Sequence, residues 1–200
     1  VLVNLTSSVI TFANAQTSGQ DIRFTDANGA LLKYEIERWN NASSSAQIHV
    51  KIPTVDSATD TVFYAYYGNP SVSDGQSSTD VWDSDFKGVW HLEEDVTDEQ
   101  TIGSHTDSTT NNNAGTQNNN VEISALVGLG QSFDGSADYI TVSDDNSLDV
   151  PDNQDLTVSA WVKTTDATDT IEGLVDKKGG TQTNTVAGYA IFWQNSNGRA

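Results

Sequence analysis

Two glutamates separated by a single residue are the strongest candidates for chemistry in this sequence. Glu35 and Glu37 lie in the run Y-E-I-E-R-W, which alternates as a β-strand does. Residues i and i+2 of a strand share one face, with Cα atoms about 6.6–6.8 Å apart. Retaining glycosidases hold two carboxyl groups about 5–5.5 Å apart, so the pair suggests polysaccharide hydrolysis. The alternative, which we prefer, is an exposed strand face with Lys33 and Arg38 as neighbours.

The other polar residues suggest no catalytic group. Glu93 and Glu94 are adjacent, so on a strand they point to opposite faces and cannot pair. The three histidines, His49, His91 and His105, are scattered along the chain, and no G-x-S-x-G elbow accompanies them. The absence of cysteine excludes thiol catalysis, disulfides and cysteine-based zinc sites. We therefore expect a protein that is not an enzyme.

Short alternating runs, separated by clusters of Gly, Asn, Asp and Ser, make up most of the chain, and helical periodicity is almost absent. This pattern is typical of an all-β sandwich rather than of βαβ units. The predicted strands are Leu2–Thr6, Asp21–Thr25, Lys33–Trp39, Ala46–Ile52, Thr61–Tyr67, Gly88–Leu92, Gly130–Phe133, Tyr139–Ser143, Leu156–Lys163, Ile171–Asp176 and Gly188–Gln194.

The charge of the chain excludes several partners. Its 200 residues include 28 acidic and 9 basic ones, which gives a formal net charge of −19. Because phosphates and anionic lipids are bound by clustered Lys and Arg, we exclude nucleic acid and membrane surfaces. No run of about 20 apolar residues is present to insert into a membrane. The acidity indicates a halophilic surface solvated at high salt, or cation sites built from Asp and Asn oxygens.

A change of composition at residues 71–87 predicts a linker between two domains. This segment is polar and acidic, and it separates a first β-sandwich at 1–70 from a second at 88–200. A second polar tract, Ser104–Asn120, is either a floppy loop or an oxygen-rich ligand loop. Both ends of the chain fall next to predicted strands, so we expect a fragment of a longer surface protein.

The second half contains an ordered series of short motifs. They are G-V-W-H-L-E-E (Gly88–Glu94), T-D-S-T-T-N-N-N-A-G-T (Thr106–Thr116), G-L-G-Q-S-F-D-G-S-A-D-Y-I-T-V (Gly128–Val142), D-L-T-V-S-A-W-V-K-T (Asp155–Thr164) and G-Y-A-I-F-W (Gly188–Trp193). Their order and spacing resemble the laminin-G-like, concanavalin A-like lectin/glucanase jelly rolls of microbial surface proteins. The later strands of that family are missing, so the resemblance implies an incomplete jelly roll.

The first half resembles an uncharacterised extracellular β domain that often precedes such jelly rolls. The resemblance rests on D-I-R-F-T-D-A-N-G (Asp21–Gly29), Y-E-I-E-R-W (Tyr34–Trp39) and F-Y-A-Y-Y-G-N-P (Phe63–Pro70). We expect the usual opening strand of that domain to be missing. The match implies a fold and a setting rather than a chemistry.

The laminin-G-like resemblance also implies a Ca²⁺ near the rim of the second sandwich. Hard cations take oxygen ligands from Asp, Asn and backbone carbonyls. The matching residues are Asp107 and Asn112 in one loop, and Asp134 and Asp138 in the turn F-D-G-S-A-D-Y. The alternative is that Asp134 simply belongs to a turn and that the asparagines are solvated. If calcium binds here, it should raise the melting temperature of this domain.

Sugar binding, the usual use of this fold in microbes, is a further expectation from the resemblance. A sugar site needs an aromatic platform and a few aimed polar groups. Trp193 with Asn195 is one candidate, and Trp90 with His91 is another. Sandwiches bury Trp routinely, so for each Trp we prefer a place in the core to a place in a sugar platform.

Together these features predict two consecutive jelly-roll-like β-sandwich domains, the second incomplete. We expect an extracellular adhesion module at a cell or virion surface that binds a cell-surface glycan or glycoprotein and is stabilised by calcium. The alternative is a structural spacer, as a homo-oligomer in a surface filament or in a viral tail fibre or turret; a polysaccharide hydrolase ranks last. The sequons at Asn4 (N-L-T) and Asn41 (N-A-S) permit N-glycosylation.

Overall fold

The computed structural model describes residues 1–94, 104–151, 154–165, 171–177 and 188–194. The strands are β1 (Leu2–Thr6), β2 (Arg23–Asp26), β3 (Leu31–Leu32), β4 (Tyr34–Asn40), β5 (Ser45–Val50), β6 (Phe63–Tyr66), β7 (Gly115–Asn118), β8 (Val121–Ser124), β9 (Leu129–Ser132), β10 (Tyr139–Val142), β11 (Ile171–Lys177) and β12 (Tyr189–Gln194). The helices are α1 (Ser78–Val81) and two 3₁₀ turns, Phe12–Asn14 and Asn146–Leu148. The prediction of an all-β protein is confirmed. Within the described ranges, no helix is long and apolar enough to cross a membrane.

Two three-stranded antiparallel sheets form the first part of the chain. One has the order β1-β5-β4 and the other the order β3-β2-β6. β5 shows why they pack together: Ala46, Ile48 and Val50 are fully buried, whereas the residues that alternate with them are half-buried. Because alternate residues of a strand point to opposite faces, one face of β5 is apolar and the other polar.

The apolar faces of the two sheets share a single core. Phe24 of β2 lies edge-on to Tyr34 of β4, with ring centroids 5.4 Å apart. Both rings are almost completely buried, and Ile48 and Ile22 join them in the same cluster. Burial of an aliphatic or aromatic side chain of this size contributes about 1.5–3 kcal/mol. This core fixes the orientation of β4 and β5, which carry the site described below.

The chain divides into compact units at a different place from the one predicted. The units are Val1–Asp144 and Asp145–Ala200. Residues 71–87, predicted as a linker, pack along β4: the Ser77 N–H donates to the Tyr34 carbonyl over 2.9 Å, and Val81 of α1 is buried. The segment thus hydrogen-bonds to β4 over part of its length, and a domain boundary at residues 71–87 stays a prediction.

The remainder of the first unit contains two strand pairs. β7 pairs with β10 and β8 pairs with β9, all antiparallel. β7 and β8 lie in or beside the polar tract that was predicted to be a loop, and Gln117 and Asn120 there are almost completely buried. Predicted strand Gly88–Leu92 is not a strand, although Val89 accepts a hydrogen bond from the Ser108 N–H at its carbonyl.

The second unit is described for fewer residues. Its regular elements are the 3₁₀ turn and the antiparallel pair β11–β12, which has an irregularity between Gly173 and Val175. Predicted strand Leu156–Lys163 has no regular structure, and Trp161 in it is 80 % exposed. A strand needs a ladder partner, and no described strand pairs with this segment. The jelly-roll assignment for this half of the chain stays a prediction.

Candidate functional site

The polar face of sheet β1-β5-β4 carries a cluster of acidic and imidazole side chains. Glu35 of β4 lies directly opposite His49 of β5 in the antiparallel register, so the two side chains share a face. The register shifts between Ile36 and Arg38, which leaves Glu37 as the extra residue of a β-bulge. A bulge re-aims a side chain. Here the carboxylate of Glu37 meets the imidazole of His49, with Oε2 and Nε2 2.5 Å apart.

This polar face is covered by later parts of the chain. The side-chain oxygen of Gln76 accepts a hydrogen bond from the Ile36 N–H over 3.0 Å, which docks the segment after residue 71 on β4. From the other side, Arg38 donates to the Gly128 carbonyl over 2.9 Å. As a result Glu35 and Glu37 are each only 6 % exposed. Two carboxylates are therefore buried at the surface of a sheet whose other face is the core.

Three donors fix the carboxylate of Glu35. Oε2 accepts from the Trp82 indole N–H over 2.8 Å and contacts His91 Nε2 at 3.0 Å. Oε1 accepts from the Ser108 hydroxyl over 2.6 Å. A buried carboxylate held by several donors has a single orientation, and its removal would leave those donors unsatisfied. Glu35 thus joins three segments of the first unit: β4, residues 82–91 and the loop after residue 104.

Glu37, His49 and His91 bring three ligand-type atoms together. Besides the contact with His49, Glu37 Oε2 lies 3.6 Å from His91 Nδ1. The ligand atoms of all three side chains lie within 4.8 Å of one another. The side chains of His49 and His91 are 19 % and 13 % exposed, so the cluster is largely shielded from water. Residues with these donor atoms at these separations can share protons or hold a metal ion.

Aromatic packing holds the two imidazoles. The rings of His49 and His91 stack with centroids 5.1 Å apart, and the Trp82 indole lies 5.1 Å from His49 and 6.0 Å from His91. Trp82 in turn packs edge-on against Phe86. These contacts restrict the rotamers of both histidines, as preorganised sites require.

Glu35 and His91 each favour the charged form of the other. Burial opposes ionisation of Glu35, but hydrogen bonds from His91, Ser108 and Trp82 outweigh it and lower the pKa of this carboxyl. Burial also disfavours the charged imidazolium of His91, yet the hydrogen bond and charge of Glu35, with the charges of Glu37 and Glu93, raise the pKa of His91. The pair therefore favours a carboxylate beside a readily protonated imidazole.

Two further carboxyl groups lie beside the cluster, and their pKa values are shifted in opposite directions. Burial, together with the negative charges of Glu37, Glu94 and Glu35, raises the pKa of Glu93 to about 7 against the opposing influence of His91. For Glu94, burial is outweighed by hydrogen bonds from His105 and from the Thr106 N–H, which lower the pKa. His105 is completely buried, and it lies outside the cluster of three ligand-type residues.

A cleft of about 530 Å³ opens beside Glu35 and His91. Its other described lining residues are mostly hydroxyl, amide or carboxyl groups: Ile36, Gln76, Ser77, Ser78, Thr79, Glu93, Glu94, Thr106 and Ser108. A volume between about 300 and 1,000 Å³ is typical of small-ligand sites. The cleft is a polar concave surface beside the cluster.

The prediction of an exposed face for Glu35 and Glu37 is wrong, because later segments cover it. The two glutamates do share a face, but each carboxylate already accepts hydrogen bonds, from three donors at Glu35 and from His49 at Glu37. Neither Lys33 nor Arg38 neutralises them: Lys33 pairs with Asp80, and Arg38 binds a carbonyl. The geometry of this pair therefore gives no support to a glycosidase.

The residues predicted to bind calcium fall into two separate hydrogen-bonded turns. Both oxygens of buried Asp107 accept two hydrogen bonds each: Oδ1 from the N–H groups of Val89 and Thr109, and Oδ2 from the Thr109 hydroxyl and the Asn113 N–H. These four donors satisfy the carboxylate of Asp107 within the folded loop. Asn112 is exposed, with a left-handed φ of 56°. Asp107 is thus a structural carboxylate that organises its loop.

The second turn is built around Gly135, which has a φ of 79°. Asp138 accepts from the Asp134 N–H over 2.7 Å, and Asp134 accepts from the Ser136 N–H over 2.7 Å. This is the turn that the sequence offered as the alternative to a metal loop. Calcium binding at either turn stays a prediction.

The predicted sugar-binding residues belong to two different compact units. The Trp90 indole donates to the Asn113 carbonyl over 2.8 Å, so this half-buried ring fastens two segments. Trp193 lies on β12 opposite Glu172 and is 42 % exposed. Asn195 lies outside the described residues. Only His91, named beside Trp90 as part of a sugar site, lines the polar cleft.

The two sequons lie in exposed positions of the first sheet. Asn4 is exposed on β1. Asn41 is exposed in the turn after β4, where its amide nitrogen donates to the Thr17 carbonyl and its oxygen accepts from the Trp39 indole. A glycan attached to the Asn41 amide nitrogen would weaken its bond to the Thr17 carbonyl and leave the bond from the Trp39 indole in place. Their modification stays a prediction.

The sequence did not predict that four further side chains join the two glutamates in one cluster; they are His49, His91, Trp82 and Ser108. For His49 a signal existed: the β4–β5 hairpin places it opposite Glu35, on the polar side of an alternating strand. For the other three no local signal exists, because they reach the sheet from segments about 45–70 residues further along.

Comparison with known proteins gives one match. Residues 18–100 match the model of a domain of unknown function (DUF2341), which is less than half of the chain. The matched range runs through the predicted linker and includes Glu35, Glu37, His49, Trp82 and His91 but not Ser108. No curated protein and no solved structure matches the chain.

Proposed function

We propose that this chain is an extracellular binding module, at a cell or virion surface, which recognises a glycan in the cleft beside Glu35. The observation that carries the proposal is the lining of that cleft by hydroxyl, amide and carboxyl groups. Sugars present closely spaced hydroxyls that both donate and accept, and a surface of this composition matches them.

The charges around the cleft define the class of sugar. Glu35, Glu93 and Glu94 line it, and none of the described lining residues is Lys or Arg. Anionic sugars such as sialic or uronic acids would be repelled by these carboxyls. The cleft therefore suits neutral sugars, whose hydroxyls donate to carboxylates, and amino sugars, whose cationic groups pair with them.

Preorganisation supports a binding role. Glu35 is held by three donors and is nearly buried, so its orientation is set before a ligand arrives. A rigid polar site avoids part of the entropy cost of binding. None of the described lining residues is Trp, Tyr or Phe. Selectivity would thus arise from hydrogen bonds rather than from stacking on an aromatic platform.

A glycan array tests this proposal directly. The 200-residue chain is labelled and applied in molar salt, with and without Ca²⁺, to neutral, amino and acidic glycans. We expect binding to neutral or amino sugars and none to acidic ones. Silence across the array would contradict the proposal and favour the structural-spacer interpretation, whereas dependence on calcium would support the calcium prediction.

A pair of matched variants then locates the site. Glu93→Gln changes a lining carboxyl, whereas Glu122→Gln changes a carboxyl on β8 that does not line the cleft. A hydrogen bond to a charged group contributes about 1.5–3 kcal/mol, so Glu93→Gln should weaken binding at least about tenfold in calorimetry performed well above the Glu93 pKa of about 7, where this carboxyl is ionised. Glu122→Gln should leave affinity unchanged. Equal loss in both variants would place the site elsewhere.

A further inference from the structure

We propose that Glu37, His49 and His91 bind a first-row transition-metal ion, for which Zn²⁺ is the probe. The inference rests on the cluster itself and is independent of the glycan proposal. Its ligands come from β4, from β5 and from the segment that covers the sheet, so the folded first unit brings them together.

The donor set selects the class of metal. Two imidazole nitrogens and one carboxylate oxygen suit Zn²⁺, Fe²⁺, Co²⁺ or Ni²⁺, whereas Ca²⁺ requires six to eight oxygens. Three protein ligands also leave at least one coordination position for water or a ligand atom. This differs in ligand chemistry and in place from the calcium site that the sequence suggested at Asp107.

The separations between ligand atoms suit one shared ion. Ligands about 2.0–2.1 Å from a tetrahedral Zn²⁺ are roughly 3.4 Å from one another. Glu37 Oε2 and His91 Nδ1 are already 3.6 Å apart. Glu37 Oε2 and His49 Nε2 are hydrogen-bonded at 2.5 Å, and a metal ion between them would replace this bond, with its proton passing to His49 Nδ1 or to solvent. Since all three ligand atoms lie within 4.8 Å of one another, they reach this spacing with side-chain shifts of roughly an ångström.

Glu35 supplies the supporting contact that metal-binding histidines usually have. Its carboxylate Oε2 accepts from His91 Nε2, which places the proton on that nitrogen and leaves Nδ1 free to face Glu37. Carboxylate–histidine–metal arrangements of this kind fix the tautomer and raise the basicity of the ligand. The Trp82 and Ser108 donors hold Glu35 itself in place. Glu35 is thus a positioning residue for the metal site.

The packing around the cluster supports the same conclusion. Trp82 lies against both imidazole rings and covers them with an apolar surface. Limited access of water strengthens the attraction between a dication and the carboxylates around it. Without an ion, the cluster would be a network in which a protonated His91 lies between Glu35 and Glu37. The experiment must distinguish the metal-bound cluster from this metal-free network.

Metal binding by the full chain is the test. After removal of metals with EDTA, Zn²⁺ is titrated in a calorimeter at pH 7, and Co²⁺ is added separately to record its visible spectrum. We expect one Zn²⁺ per chain, and visible Co²⁺ absorption bands of the intensity that four-coordinate sites give. We also expect that Ca²⁺ at the same concentration produces no binding heat at this site.

The variants assign the ligands. Glu37→Gln and His49→Gln should each reduce Zn²⁺ affinity by more than about 100-fold, whereas Glu35→Gln, which alters a supporting contact, should reduce it by roughly 10–100-fold. Glu122→Gln on β8 serves as the control and should bind like the unchanged chain. Circular dichroism checks that each variant is folded.

Three outcomes would overturn the proposal. They are the absence of stoichiometric Zn²⁺ binding to the unchanged chain, equal affinity in Glu37→Gln and the control, and Ca²⁺ binding as tight as Zn²⁺. If a variant does not fold, the Co²⁺ spectrum of the unchanged chain and its melting temperature with and without Zn²⁺ still decide the question, since a ligand that binds only the folded state raises that temperature.

Discussion

β5 presents a completely buried face and a largely covered face that are opposite in chemistry. On the inner face Ala46, Ile48 and Val50 are completely buried in a core shared with the second sheet. On the outer face His49 contacts Glu37, and both are mostly buried under segments from later in the chain. The inner face excludes water with apolar groups, whereas the outer face encloses charges that must be paired to be tolerated there.

Residues of the inner face stabilise the fold, whereas residues of the outer face are positioned by the fold and add little to its stability. Apolar burial contributes directly to folding. A buried ionic cluster contributes little net stability, because the cost of desolvation offsets the attraction, and apolar replacements of similar volume are often neutral or stabilising. Groups with perturbed pKa values in a cleft are concentrated at functional sites. The outer face is therefore where function is to be sought.

The inner face should show the largest effect on stability. Ile48→Ala removes three carbon atoms from a side chain that is completely buried, and we expect it to cost about 2–5 kcal/mol of the free energy of unfolding. Urea denaturation measures this cost. Leu31→Ala is the control, since Leu31 is 70 % exposed and should change stability by less than about 0.5 kcal/mol. Equal effects would mean that the two sheets do not share the described core.

A buried carboxylate with a purely structural role should come next. Asp21 accepts hydrogen bonds from the N–H groups of Gln16, Gly68 and Asn69, and although burial disfavours its charge, these bonds lower its pKa. Asp21→Asn should cost about 1.5–3 kcal/mol at neutral pH.

The pH dependence of that cost has a definite sign. Because the folded state lowers the pKa of Asp21, its contribution is fully present above the ordinary value of 3.8 and is lost as pH falls through the lower folded value. The difference in melting temperature between Asp21→Asn and the unchanged chain should be constant above about pH 5 and shrink below pH 4. A difference that does not shrink as pH falls below 4, down to acid unfolding, would contradict the role assigned to the charge.

Two glycines provide a smaller and more selective test of the outer face. Gly128 and Gly135 both have left-handed φ values, 57° and 79°, so alanine at either should cost about 1–2 kcal/mol in backbone strain. A Cβ on Gly128 would also lie 2.9 Å from Glu37 Oε1, whereas a Cβ on Gly135 meets nothing within 4 Å.

The two variants should therefore differ at the cluster. Gly128→Ala should displace the Glu37 carboxylate and weaken Zn²⁺ binding, and it should be the less stable of the two in urea. Gly135→Ala should bind Zn²⁺ like the unchanged chain. If both retain full affinity, the loop at Gly128 does not hold Glu37.

The rim of the outer face should show the smallest effect. Lys33 and Asp80 form an ion pair of 2.7 Å, with side chains 57 % and 52 % exposed. Such exposed pairs contribute little to stability and are screened by salt. Lys33→Ala should lower the melting temperature only slightly in low salt and by less in molar salt. A larger or salt-independent loss would show that α1 depends on this pair for its docking on β4.

The inner face was accessible to prediction from the sequence. Strand β1 was predicted with the bounds it has, and the alternation in S-A-Q-I-H-V identifies the buried side of β5. Glu35 and Glu37 were recognised as neighbours on one face, because period two is a property of the strand alone. The all-β class followed from the same local patterns.

The outer face was not accessible, because its burial depends on distant segments. Nothing near Glu35 indicates that Trp82, His91 and Ser108 will enclose it. The Ser104–Asn120 tract was predicted to be a loop because it lacks apolar residues, yet Asp107 and the asparagines there replace apolar packing with hydrogen bonds. Composition therefore indicated exposure where polar pairing produces burial.

The bulge at Glu37 has a consequence for insertions and deletions in β4. Glu37 is the residue that has no ladder partner of its own, between the pairs Ile36–Ile48 and Arg38–Gln47. Deletion of Glu37 alone would give a regular strand with every core residue on its present side, whereas deletion of Ile36 would bring Glu37 opposite the buried Ile48. The carboxylate can thus be gained or lost in one indel without any change to the core.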